Sequence, residues 1–135
     1  MKSQAAFEYL MIFSIVIALV LILVAYALQI TERNKEEIRI SNAIAAAHEI
    51  VDTANIVNTQ GKPTSLTLTS VYIPEGVESI NITGKNVLMK VRVAGGITDI
   101  FATSKADLQG SISNTQGMKK IKIKAEDNYV NITEV

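Results

Sequence analysis

The side chains that most often carry chemistry are few in this chain and do not converge. Cysteine is absent, which removes disulfides, thiol nucleophiles and cysteine-bound metals together. His48 is the only histidine, and no second histidine or acid pair stands at metal-ligand spacing from it, so it reads as a packing or interface residue. Asp99, Asp107, Glu126 and Asp127 fall in turns and strand ends, with no spacing that brings two carboxylates to one catalytic distance. There is no nucleophile elbow, phosphate-binding loop or dinucleotide fingerprint. The sequence therefore points away from an enzyme, and no cofactor or metal is expected.

Three other features carry chemical meaning. Glu8, with Gln4 four residues before it, stands at the head of a long apolar run; a carboxylate there is favoured by the positive end of a helix dipole but costly if buried unpaired. Asn81-Ile82-Thr83 and Asn131-Ile132-Thr133 are acceptor sequons for N-glycosylation, and in each the Asn alternates with apolar neighbours, so it should face outward from a strand. Lys119, Lys120, Lys122 and Lys124 form a basic cluster that could meet DNA, an acidic polysaccharide or a negatively charged surface. The plainer and favoured reading is a solvated face that keeps an exposed strand from pairing with other sheets. Tyr129 is the only nearby ring, so binding of single strands by base stacking is not supported. A net charge of +0 removes the wider electrostatic argument, and no nucleic-acid partner is expected.

These residues need elements to position them. The 135-residue chain is 48% hydrophobic but only 5% aromatic, and its aliphatic residues are concentrated near the start. From Leu10 to Leu28 no residue is charged and Ser14 is the only hydroxyl outside tyrosine. At a helical rise of 1.5 Å this run reaches roughly 28 Å, close to the hydrocarbon thickness of a bilayer. It is too long for the apolar region of an ordinary secretory signal, which predicts that it is kept. Lys2 before the run and the mixed charges of Glu32, Arg33, Lys35, Glu36 and Glu37 after it favour a cytoplasmic N-terminus.

Beyond Ile30 the chain turns amphipathic. Ile40, Ile44, Ala47, Val51 and Ala54 recur at helical spacing, and Gly61-Lys62-Pro63 supplies the stop. The pattern predicts one helix near residues 5–59. After Pro63 the period changes to two: Val87, Met89, Val91 and Val93 alternate with other residues, as do Ile121, Ile123 and Ala125. Further strands are expected over 66–73, 77–83, 97–103, 107–113 and 129–133, with a bulge near Ser70 and turns at 74–76, 84–86, 95–96, 114–117 and 127–128. The expected fold is α+β: a long N-terminal helix, apolar then amphipathic, followed by a small antiparallel β-sheet or β-sandwich. One sheet face must be covered, and the helical stripe over 40–54 is the nearest apolar surface.

The segment Met1-Lys2-Ser3, then Gln4-Ala5-Ala6-Phe7-Glu8-Tyr9-Leu10, resembles the class III signal peptide of archaeal type IV-like pilins, in which a short basic leader precedes Gln, Glu and a hydrophobic helix. The resemblance is carried by residues 2–28. It implies a leader over 1–3, cleaved between Ser3 and Gln4 by a prepilin-type peptidase, a helix over 4–60 that lies in the membrane before assembly and in a filament core afterwards, and an external β-domain over 64–135. It further implies a homo-oligomeric extracellular filament for adhesion, built with an assembly ATPase and a platform protein. Cleavage would create an α-amino group on the same helical face as Glu8, which could pair with its own terminus or with that of a neighbouring subunit. Alternative readings are a minor pilin, or a membrane-anchored external domain that binds a ligand. An archaellin of a rotating filament fits the Gln/Glu leader less well.

Overall fold

The computed structural model describes residues 2–135, and the side chains of all of these but Lys2, Ser3, Ala5 and Thr69. Met1, the first residue of the expected leader, lies outside the described residues. Helix α1 spans Lys2–Gln60, and strands β1 (Ser65–Ile73), β2 (Val77–Val93), β3 (Gly96–Ser111), β4 (Gly117–Ala125) and β5 (Val130–Glu134) follow. The architecture is α+β, with a long N-terminal helix and a small sheet head. The chain divides into two compact units, residues 1–35 and 36–135, so the second part of α1 belongs with the sheet.

Among the described side chains of the first unit, α1 has no covered face. Every large apolar side chain from Phe7 to Ile30 is exposed, from 40% at Ile30 to 74% at Tyr9. Intrinsic propensity supports helix only modestly over a run so rich in Ile and Val. Local hydrogen bonds add little: Ser14 Oγ donates to the Leu10 carbonyl at 2.8 Å and Thr31 Oγ1 to that of Ala27 at 2.9 Å. The run is long and apolar enough to cross a membrane.

In the second unit α1 buries Ala43, Ala46, Ala47, Ile50, Val51, Ala54 and Val57. These residues form one core with the inward positions of all five strands, among them Val71, Ile73, Val87, Met89, Leu108, Ile121, Ile123, Val130 and Ile132. Four of the seven helical positions are alanine, so the backbone of α1 can lie close to the sheet while the strands fill the layer between. Ile44, assigned to the buried stripe by its spacing, is 40% exposed. The true stripe is centred on 43, 47, 50, 54 and 57, and Ile44 falls at its flank. The helix ends as its sequence predicts: Gly61 has φ +71° and its N–H donates to the Val57 carbonyl at 3.1 Å, the left-handed cap that glycine adopts without strain.

The strand order is β1-β4-β5-β3-β2 in a single sheet, so no sandwich forms. Its pairs are antiparallel except β3 with β5, which run parallel from Leu108 with Val130 to Ser111 with Thr133. Short connections made antiparallel neighbours the natural expectation, but β3 and β5 are not consecutive, and alternation does not identify such partners. Five steps along β3, from Leu108 back to Thr103, match only two steps along β2, from Gly84 to Asn86. The expected strands over 77–83 and 87–93 are two arms of one element. The N–H of Arg92 donates to the Gly76 carbonyl at 2.8 Å, whereas a straight strand would separate them by roughly 50 Å. β2 therefore folds back, and Gly84 with φ +57° supplies the bend. The expected bulge near Ser70 is present as a register shift between Leu68 and Val71.

Candidate functional site

Two surfaces remain to be explained by function: the uncovered helix of the first unit and the outer face of the sheet in the second. On the helix, Gln4 and Glu8 are exposed and stand one helical turn apart. Glu8 has no ion-pair partner among the described side chains, where the nearest such pair along α1 joins Lys35 to Glu32 at 2.7 Å. The Ser3–Gln4 peptide bond lies in the first turn of α1. That turn must open for any peptidase to act there, and a terminal turn is the part of a helix held by fewest hydrogen bonds.

In the second unit the helix grips the sheet by polar contacts at both ends of the shared core. The Glu36 carboxylate accepts from the N–H of Ala94 at 2.6 Å, in the turn joining β2 to β3. Arg39 lies 3.9 Å from Glu75 and its stem fills the space beside Gly76, where an added Cβ would come within 3.2 Å of Arg39 Cδ. Further along, Asn55 Oδ1 accepts from both Ser104 Oγ and the N–H of Lys105 at 2.9 Å, and Ser104 Oγ accepts from the N–H of Ala106 at 3.1 Å. These bonds satisfy backbone donors in the extra residues of β3, which the ladder with β2 leaves over. Asn55 gave no sign of this role in the sequence, where it only lowered helical propensity; its partners lie about fifty residues away.

The turn after β4 is held by charge. Lys62 reaches Asp127 at 2.7 Å and Glu126 at 3.7 Å, while Lys124 reaches Glu126 at 2.8 Å. The hydrogen bond to Asp127 raises the pKa of Lys62, and the bond from Lys124 lowers that of Glu126. Glu134 accepts from Lys119 at 2.8 Å and from the N–H of Ser113 at 2.8 Å, and these two bonds, the lysine's first, lower its pKa. Asp99 pairs with Lys90 across the β2–β3 ladder at 4.0 Å. Of the carboxylates singled out in the sequence, Asp99, Glu126 and Asp127 thus serve a ladder and a turn, while Asp107 is exposed on β3. His48 is exposed, and no group of three His, Asp or Glu is placed to hold a metal among the described residues.

The two sequons differ in setting. Asn81 and Thr83 are exposed on the first arm of β2. Asn131 is half-buried in β5, between Lys124 of β4 and Gln109 of β3. The lysines of the basic cluster separate as well: Lys119 is largely covered beside Glu134, whereas Lys120, Lys122 and Lys124 are exposed on the outer face. β4 lies inside the sheet, hydrogen-bonded to β1 and β5. The edge-guarding role expected of these lysines is therefore ruled out, since this strand has no free edge to guard. Comparison with protein-family models, curated proteins and solved structures gives no match for the chain.

Proposed function

We propose that this protein is a structural subunit of an extracellular filament of the archaeal type IV-like kind, assembled through its N-terminal helix and used for adhesion. One observation carries the reading: a Gln4–Glu8 head leads into a helical run that is apolar and exposed on every side, followed by a separately folded sheet. Such a helix requires an apolar surrounding. At about 25 cal/mol per Å² its exposure to water would cost roughly tens of kcal/mol, which lipid relieves in the precursor and neighbouring copies relieve in a fibre. The transfer must avoid full exposure to water and so demands assembly machinery, which the resemblance to type IV-like pilins implies to be an assembly ATPase and a membrane platform protein acting with a prepilin peptidase. Cleavage between Ser3 and Gln4 would release the charged leader and create the amine that can pair with Glu8. In this reading the helices form the fibre core and the sheet heads its outer wall.

A second reading, a minor pilin or membrane-anchored external domain that binds a ligand, draws on the lysine face of β4, which the filament reading leaves unused. Electron microscopy of sheared cell-surface material, with mass spectrometry of the fibre's N-terminus, separates the two. Fibres composed of this chain and beginning at Gln4 support the major-subunit reading. A chain that stays in the membrane fraction with Met1 intact overturns it in favour of the anchored domain.

A further inference from the structure

We infer that the outer face of β4 and its flanking strands is a binding surface for an acidic polysaccharide. Lys120, Lys122 and Lys124 project from alternate positions of one strand, which spaces their cations by about 6.7 Å along a line. Lys124 is paired with Glu126, but Lys120 and Lys122 have no carboxylate partner among the described residues. Lys62, Lys90, Arg92 and Lys119, in the same unit, all have one, whereas Lys85 and Lys105 also lack one but stand on other strands. The positions opposite Lys122 are Thr67 in β1 and Thr133 in β5, both exposed and both hydroxyl-bearing. Like charges repeated on one strand face repel one another, and an interior strand gains no edge protection in return. An extended polyanion laid along the strand would relieve that repulsion.

The choice of polyanion follows from what surrounds the lysines. Tyr72, 37% exposed, is set in β1 opposite Met118 at one end of the row. A nucleic acid held without groove or pocket needs successive rings for successive bases. A glycan needs one flat apolar surface for a sugar ring, hydroxyl partners for its own hydroxyls, and cations for its carboxylates, and this face has all three. The inference concerns the sheet alone and does not depend on filament assembly.

The test uses the full chain dispersed in an uncharged detergent, with immobilised polygalacturonate as the probe and neutral dextran as its control. The expected result is salt-sensitive binding to polygalacturonate and none to dextran, weakened about tenfold or more in the K120Q/K122Q double variant. The K85Q/K105Q variant, which removes the same charge from exposed lysines elsewhere, should bind as the parent does. Tyr72→Ala, which changes no charge, should weaken binding several-fold with circular dichroism unchanged. The inference is overturned if polygalacturonate is not bound, if the two lysine pairs weaken binding equally, or if Tyr72→Ala has no effect. Single-stranded DNA competing as well as polygalacturonate at equal charge concentration would also overturn it, in favour of a nucleic-acid surface.

Discussion

Asn55 shows how much can rest on one side chain that no motif marks. Its amide oxygen holds Ser104 Oγ and the N–H of Lys105, so the extra residues of β3 are tied to α1 rather than left to water. Asn55→Ala should destabilise the head by about 1–3 kcal/mol, because it removes an acceptor from donors that the ladder does not use. Asn55→Asp keeps an acceptor in place and should cost less, and denaturant unfolding of the full chain in detergent compares the two. Equal losses for both would sink this account. Charged residues act similarly at the sheet's end. Hydrogen bonds from Lys124 and Lys119 hold the carboxyls of Glu126 and Glu134, respectively, below the ordinary glutamate range. A carboxylate depressed on folding contributes stability that is complete above its unfolded pKa and is lost as pH falls through the folded one. The head should therefore hold its stability down to about pH 4.5 and lose it progressively below. Glu134→Gln should flatten part of that fall, and thermal unfolding followed at pH 7 and pH 3 is the measurement.

At the scale of elements, close approach of backbones sets the tightest demands. Gly110, with φ +139°, pairs with Ile132 where β3 and β5 run parallel, and a Cβ added there would collide with the Ile132 backbone. Gly110→Ala should cost a few kcal/mol or open the β3–β5 pair, which hydrogen exchange of the amides over 130–133 would report directly. Gly61→Ala meets open space and only the left-handed φ, so it should cost about 1 kcal/mol. This contrast also explains what the sequence could and could not reveal. The helix, its Gly61 stop, the alternation of β2 and β4 and the bulge after Leu68 are local, each written in a period or a turn residue within a few positions. The parallel β3–β5 pair, the fold-back of β2 and the interior place of β4 depend on partners far along the chain. The 4-3-4-3 spacing places Ala47, Val51 and Ala54 in the core, where they lie, but the sheet also covers Ala43 and Ala46, so the buried face is turned slightly from that spacing and Ile44 falls at its flank. Among the candidate functional residues, Gln4, Glu8 and the two sequons were legible as short motifs. Asn55, Glu36 and the unpaired state of Lys120 and Lys122 required the tertiary arrangement.

For the whole molecule, the central question is whether the apolar helix and its head carboxylate act together. Within the filament reading, Glu8 has two environments: the membrane interface, where water and lipid head groups can solvate it, and the fibre core, where they cannot. An unpaired carboxylate is tolerable in the first and costly in the second, so Glu8 should matter for assembly and not for insertion. Glu8→Gln removes the charge while keeping the side chain's size. It should leave the amount of chain in the membrane fraction and cleavage before Gln4 unchanged, yet reduce sheared fibre about tenfold or more. The same substitution made at exposed Glu49, on the head's part of the helix, should leave fibre yield as it was. Fibre yield undiminished by Glu8→Gln would dispose of the charge-pair proposal while leaving filament formation standing, because the apolar run alone would then suffice for docking. Loss of chain from the membrane would place the need for Glu8 earlier, at insertion. If instead fibre is lost while insertion and cleavage persist, the filament reading gives the order of processing a physical reason, since cleavage before Gln4 supplies a cation one helical turn from the carboxylate that the fibre would otherwise bury without a partner.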